Sequence, residues 1–302
     1  MQESRLLERV EALRSGSQGF GAGVVVGPGD DCAALRLDGL TLVTVDQLIE
    51  GRHFAPGTAP RLIAHKAIAR SVSDIAAMAG RPVACVVTAA FAEGTTQEWA
   101  EELFDAVHAA GLALACPVIG GDIARMARGG ALTLTCTALG MAHAARGAVL
   151  RSGARAGDDV YVTGAIGGSF ASGRHLEFEP RVRAGIALAD ALGEDLHAMI
   201  DISDGLGRDA GRVARVSSVR IEIEGARVPL HAGVVEVMQA AGEGEDYELL
   251  FTAAAGSGAR IEALDAGVAI TRIGLVVSGA GCVIIGGDGR GHGVTDLGWD
   301  HA

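Results

Sequence analysis

A chain of 302 residues, 49% apolar but only 4% aromatic, is long enough for one large or two medium domains with cores built mainly of Ala, Val, Leu and Ile. A net charge of −12 with no basic run interleaved with aromatics argues against a nucleic-acid surface, and no apolar run approaches the ~20 residues of a membrane span. Glycine, at 45 residues, is about twice its usual ~7% without collagen periodicity, and so points to many tight turns in a folded domain.

Leu6, Leu7, Val10 and Leu13 fall at helical spacing and predict a short amphipathic helix, followed by a glycine-rich turn over 16–30 that ends in Gly29-Asp30-Asp31. The run Leu42-Val43-Thr44-Val45 predicts a strand, with Asp46 where the strand gives way to loop. Thr58 as N-cap and Pro60 in the first turn open a helix that Gly80 and Pro82 end. In it Lys66, the chain's only lysine, Arg70 and Asp74 lie four apart and share one face, which on its own reads as solvated and ion-paired. A strand over 83–91, a helix over 95–110, a strand over 112–119 and a partly alternating strand over 131–141 complete an α/β unit.

The polar, glycine-rich stretch 146–158 marks a boundary, giving domains 1–147 and 148–302. Beyond it come a strand over 159–163, a glycine turn over 164–168 and a helix over 180–192. Strand 199–202 then leads into helix 203–216, whose first turn holds Ser203, Asp204 and Gly205, and strand 219–223 follows. Helix 233–241, a polar knot over 242–247, strand 248–252, helix 256–266 and strands 269–277 and 281–286 close the chain. Cys32, Cys85, Cys116, Cys136 and Cys282 are odd in number, with no Cys-x-x-Cys pair, so a reducing cytoplasm is the simplest setting.

Acidic residues recur at the edges of apolar segments: Asp30, Asp31 and Asp46, then Asp74, Asp122, Asp201 and Asp204. Beside glycine, Asp is ordinarily a turn former. A dispersed set of carboxylates also suits Mg²⁺, which takes oxygen ligands and usually binds through a few carboxylates plus substrate phosphates. No Gly-x-x-x-x-Gly-Lys-Ser/Thr loop is present, and Gly19 to Gly23 does not follow a strand, so a nucleotide site here is of another kind.

Taken in order, Gly29-Asp30-Asp31, Val43-Thr44-Val45-Asp46 with Glu50-Gly51-Arg52-His53-Phe54, Ser73-Asp74, Gly120-Gly121-Asp122, Asp201-Ile202-Ser203-Asp204-Gly205 and Gly244-Glu245-Asp246-Tyr247-Glu248 resemble the thiamine-monophosphate kinases. That family belongs to the ATP-binding superfamily of aminoimidazole ribonucleotide synthetase and selenophosphate synthetase. The resemblance implies a two-domain α/β fold with mixed sheets of the aminoimidazole ribonucleotide synthetase type and a homodimer built through the N-terminal sheets. It also implies Mg²⁺-dependent transfer of the ATP γ-phosphate to thiamine monophosphate.

By the same resemblance, Asp31, Thr44, Asp46, Asp74, Asp122, Asp201 and Asp204 are the expected metal ligands, with Asp46, Asp74 and Asp204 central to catalysis. Gly120, Gly121, Asp122, Arg151 and Ser203 are the expected ATP contacts, and His53, Glu245 and Trp299 the expected thiamine contacts. Arg174-His175-Leu176 with Pro180-Arg181 also matches a family motif, to which the sequence assigns no role.

Four departures bear on acceptor choice and adenine stacking. Val45 stands where the family often has Ser or Thr, Glu243 where it often has Gly, Gly168 where it often has Asp, and Leu114 where some members have an aromatic residue. They keep open an enzyme of the same superfamily with another acceptor, or a non-catalytic nucleotide-binding protein.

Overall fold

The computed structural model describes residues 24–26 and 32–300; the helix expected over 6–13, and Gly29, Asp30 and Asp31, lie outside the described residues. The chain divides into two units, Met1–Ile75 with Arg81–Met141, and Ala76–Gly80 with Ala142–Ala302.

In the first unit, β1 (Val24–Val26) pairs with β2 (Ala34–Leu35) as a two-stranded antiparallel ribbon. Strands β3 (Thr41–Ile49), β4 (Arg81–Phe91), β5 (Val118–Arg125) and β6 (Thr133–Met141) form a four-stranded sheet in the order β3-β6-β4-β5. Only β4 and β5 run parallel, and they are joined through helix α2 (Gln97–Ala113), as a parallel pair requires. Helix α1 (Pro60–Ala77) supplies Ile63, Ile68, Val72 and Ile75 to the buried core, beside Leu48 and Leu134 of the sheet. Each such side chain, once buried, contributes about 1.5–3 kcal/mol.

Three expectations for this unit are corrected. Strand β3 does not run out at Asp46 but continues to Ile49, because β6 offers a ladder partner at every step, Asp46 opposite Cys136 and Ile49 opposite Thr133. The strand expected over 112–119 is instead the end of α2, a cap at Leu114 and a left-handed Ala115 (φ 52°). The strand proper begins at Val118, so Gly120-Gly121-Asp122 lies inside β5 rather than past its end. Cys85, Cys116 and Cys136, distant in sequence, meet in this core, and contacts with the Cys116 and Cys136 thiols, together with burial, push the Cys85 thiol far above its ordinary range.

The second unit carries a seven-stranded sheet. In chain order its strands are β7 (Asp159–Thr163), β8 (Leu196–Asp201), β9 (Arg220–Glu224), β10 (Leu249–Ala253), β11 (Ile270–Val277), β12 (Gly281–Ile285) and β13 (Gly291–Gly293). The spatial order is β13-β12-β9-β11-β7-β10-β8, antiparallel except between β9 and β12. Its helices are α3 (Ser169–Ser172), α4 (Val182–Leu192), α5 (Leu206–Ser217), α6 (Val237–Gly242) and α7 (Gly258–Glu262).

Alternate residues of the central strands feed two cores. Val160, Val162, Ile200 and Leu250 join Leu206, Ala210 and Val213 of α5, whereas Tyr161, Met199, Leu249 and Phe251 join Ala184, Leu188 and Leu192 of α4. A sheet covered on both faces needs apolar side chains at nearly every position, which is why these strands read as continuous apolar runs. The expected fold class holds: α/β with mixed sheets. One placement is corrected, since Ser203, Asp204 and Gly205 precede α5 rather than forming its first turn, and Gly205 is the N-cap with φ 113°.

Candidate active-site residues

In the first unit, Thr44 and Asp46 are two apart on β3 and so point to one face of the sheet, the face on which α1 lies. Thr44 Oγ1 donates to Asp74 Oδ2 at 2.5 Å. Asp46 receives Ser71 Oγ at 3.1 Å and faces the Arg70 guanidinium at 3.3 Å, while Arg70 also donates to the Gln47 carbonyl at 2.6 Å. The Lys66, Arg70 and Asp74 face is therefore not solvated. It docks on β3, because the polar partners it needs are supplied there.

Lys66 is fully buried, and its Nζ donates to the His53 carbonyl at 2.7 Å. His53 Nδ1 accepts the Ile49 amide at 2.9 Å, which leaves Nε2 to carry the proton of the neutral ring. Lys66 and Ile49 thus fix both the backbone and the ring of an expected acceptor contact.

Asp122 stands apart from this group. It registers with Thr88, Thr88 with Thr135, and Thr135 with Gln47, so it shares the sheet face of Gln47, opposite to that of Thr44 and Asp46. Val45 is on that opposite face too and is 61% exposed, so the missing family hydroxyl is not a loss from the Asp46 side.

In the second unit the expected residues converge. Asp201, buried, ends β8, and the turn after it carries Ser203 and Asp204. The knot 242–247 folds over this turn: Glu245 donates its amide to the Ser203 carbonyl at 2.7 Å and Tyr247 to that of Ile202 at 2.8 Å. Trp299, 50% exposed, donates its amide to the Asp204 carbonyl at 2.8 Å. Two glycines permit this approach. A Cβ at Gly205 would stand 2.8 Å from the Ala241 carbonyl oxygen, and one at Gly298 would stand 2.3 Å from that of Asp204. Arg151 is exposed in the loop before β7, and the structure gives its side chain no partner role at this turn.

Sequence reasoning did not single out the groups that hold this turn. Asp209, fully buried in α5, accepts the amides of Ser203 (3.0 Å) and Asp204 (2.9 Å) on one oxygen and Arg212 (2.6 Å) on the other. Arg212 also pairs with Asp204 at 2.5 Å. Burial raises the Asp209 carboxyl to about 6, against the pull of Arg212 and the Asp204 amide. The spacing Asp204-x-x-x-x-Asp209 at a helix start was the available signal, since a carboxylate in the first turn meets unpaired amides.

Glu245 (φ 67°) and Tyr247 (φ 53°) both hold left-handed backbones, a conformation that costs a non-glycine residue about 1–3 kcal/mol and persists only where surroundings over-determine it. The added charge at Glu243 is used locally, accepting the Gly168 amide at 2.5 Å and Gln239 Nε2 at 2.7 Å.

Among the described residues no three or more of His, Cys, Asp and Glu cluster as a metal-holding group. The expected ligands among the described residues are all oxygen donors, Thr44, Asp46 and Asp74 in one unit and Asp201 and Asp204 in the other, and each of Thr44, Asp46, Asp74 and Asp204 is engaged with a protein partner. Within each unit, oxygen-only donors fit a hard cation held by one or two carboxylates with the rest of its shell from substrate phosphates and water, as Mg²⁺ is.

Residues 29–142 match the family described as AIR synthase related protein, N-terminal domain. The thiamine-monophosphate kinase of Rhodopirellula baltica is 34% identical over 277 residues, 85% of each chain. Among solved structures, the thiamine-monophosphate kinase of Stenotrophomonas maltophilia K279a superposes with a TM-score of 0.78 at 29% identity, covering 97% of this chain and 98% of its own. A structure described as AaThiL complexed with AMPPCP and TMP superposes with a TM-score of 0.71 at 27% identity, covering 100% of this chain and 99% of its own. The chain belongs to the thiamine-monophosphate kinase family.

Proposed function

We propose that this protein transfers the γ-phosphoryl group of ATP to the phosphate of thiamine monophosphate, giving thiamine diphosphate and ADP. The observation that carries the reading is the 34% identity to a thiamine-monophosphate kinase across 85% of both chains. The AMPPCP and TMP held by a structural relative support it further.

The chemistry explains why the conspicuous residues are carboxylates. A phosphate monoester has a second pKa near ~6, so the attacking oxygen is already ionised at neutral pH and needs no general base. What remains is to hold two polyanions in line, a problem of positioning and charge. Mg²⁺, when bound, would supply neutralisation of the phosphate charge. Asp31, Thr44, Asp46, Asp74, Asp122, Asp201 and Asp204 are the residues that would hold several such ions, in keeping with their oxygen-only chemistry, with Asp122 on the sheet face opposite to Thr44 and Asp46.

Gly120, Gly121, Asp122, Arg151 and Ser203 orient the nucleotide. His53, Glu245 and Trp299 hold the thiamine part. A half-exposed indole and a carboxylate suit a cationic thiazolium ring, the first through its π face and the second through its charge. Free cysteines throughout fit a cytoplasmic setting, and the exposed Val43 (65%) and Val45 (61%) on one face of β3 fit a homodimer formed through that sheet.

The test is ADP release from ATP by the purified protein over a panel of phosphorylated acceptors. Release stimulated by thiamine monophosphate alone, abolished by EDTA and restored by Mg²⁺, is expected. Stimulation by a different acceptor, or by none, overturns the reading.

A further inference from the structure

The segment Arg174-His175-Leu176 to Pro180-Arg181, which the sequence left without a role, lies against the knot that carries Glu245. Every residue after Glu245 in the knot is held by it. Arg174 Nη2 donates to Asp246 Oδ1 at 2.7 Å and to the Gly167 carbonyl at 3.2 Å. Phe178 stacks on Tyr247, centroids 3.8 Å apart and planes within 13°. Arg181 grips both oxygens of Glu248, at 2.7 and 2.5 Å, while Thr163 Oγ1 donates to the same carboxylate at 2.6 Å. Glu245 itself is held through its carbonyl, which accepts Ser169 Oγ at 2.6 Å, and His175 Nδ1 donates to the Ser169 carbonyl at 3.1 Å.

Two ion pairs buried on the carboxylate side are a poor way to gain stability, since desolvation offsets most of the attraction. The planar fork of Arg181 on Glu248, and the single Arg174 nitrogen shared between Asp246 and the Gly167 carbonyl, do fix direction, however. The residues fixed are those flanking the two left-handed backbones at Glu245 and Tyr247. An apolar contact would fill the space without setting those dihedral angles.

We infer that Arg174 and Arg181 are positioning residues that hold Glu245 in its left-handed conformation, and so set affinity for the acceptor rather than for ATP. The inference rests on the reading that Glu245 contacts the acceptor.

Both Arg174→Lys and Arg181→Lys keep the charge; the second removes the fork on Glu248 and the first removes the guanidinium nitrogen that Asp246 and the Gly167 carbonyl share. Each is expected to raise KM for thiamine monophosphate by about tenfold while leaving KM for ATP within about twofold. Placed in a Glu245→Gln background, which raises the acceptor KM by itself, they are expected to add less than about twofold, because residues acting through one contact are non-additive. Arg174 is a quarter exposed, so Arg174→Lys gives a soluble second variant should Arg181→Lys fail to fold.

An unchanged acceptor KM in the arginine variants, or a full additional rise in the Glu245→Gln background, overturns the inference while leaving the proposed reaction standing. An acceptor KM unmoved by Glu245→Gln removes the contact itself and the inference with it.

Discussion

Phe178, in the 174–181 segment, and Phe170, in α3 just before it, are the same residue type, yet one is 5% and the other 51% exposed. Phe178→Ala removes a buried ring that stacks face to face on Tyr247 at 3.8 Å. Burial and the cavity left behind put the cost at about 3–5 kcal/mol. Stacking beyond simple burial accounts for about 0.5–1.5 kcal/mol of such an interaction. In a unit of this size 1 kcal/mol corresponds to about 2–4 °C, so the transition of the second unit should fall by roughly 6–20 °C. Phe170→Ala, by contrast, should move it by no more than about 2–4 °C, since half of that ring is already in water.

Scanning calorimetry on both variants and the wild type, which resolves separate transitions, measures the difference directly. A fall of less than about 2 °C for Phe178→Ala, or equal falls for the two variants, would refute the claim that the 174–181 segment is fastened to the knot through this stack.

Burial raises the Asp246 carboxyl to about 7, opposed by the Gly167 amide and Arg174, and its Oδ2 has no partner among the described residues. With a folded pKa above the unfolded value of ~3.9, this group's stabilisation is complete below about pH 4 and is lost as pH rises to about 7. Asp246→Asn should therefore flatten the decline of unfolding free energy over that window, and parallel profiles for the two proteins in urea titrations would count against it.

Thr44→Val keeps a good strand former but deletes the donor to Asp74. Stability should change by less than about 1.5 kcal/mol while turnover drops at least about tenfold. Gly298→Ala forces a methyl to within 2.3 Å of the Asp204 carbonyl oxygen and should break the Trp299 amide bond to it. A raised acceptor KM with an unaltered ATP KM is the expected readout; unaltered KM values for both would show that Trp299 does not depend on this anchor.

Much of the fold could be read from local pattern. Strand β6 (Thr133–Met141) and helix α2 (Gln97–Ala113) lie close to the expected 131–141 and 95–110. Polar residues inside strands could not be read that way. Asp46 and Asp122 read as strand ends only while their ladder partners are unknown, and β6 and β4 supply those partners from far along the chain.

Lys66 shows the same limit from the other side. A lysine at helical spacing with Arg and Asp is ordinarily solvated, and the His53 carbonyl, brought in by a separate turn, is a partner for the buried Nζ that local pattern does not show. In the second unit the motif residues Ser203, Asp204, Glu245 and Trp299 were legible as notable, and they do meet. What holds them was not, because Asp209 with Arg212, Asp246 with Arg174 and Glu248 with Arg181 pair only after the chain has folded.

Formation of thiamine diphosphate identifies the acceptor directly. Wild type and Asp46→Asn are each incubated with Mg-ATP and thiamine monophosphate, and thiamine diphosphate is followed by chromatography. The account predicts thiamine diphosphate from the wild type and none from a variant that remains folded. Absence of thiamine diphosphate from a wild-type protein that binds Mg-ATP would contradict the acceptor, and undiminished product from Asp46→Asn would contradict the carboxylate-centred mechanism.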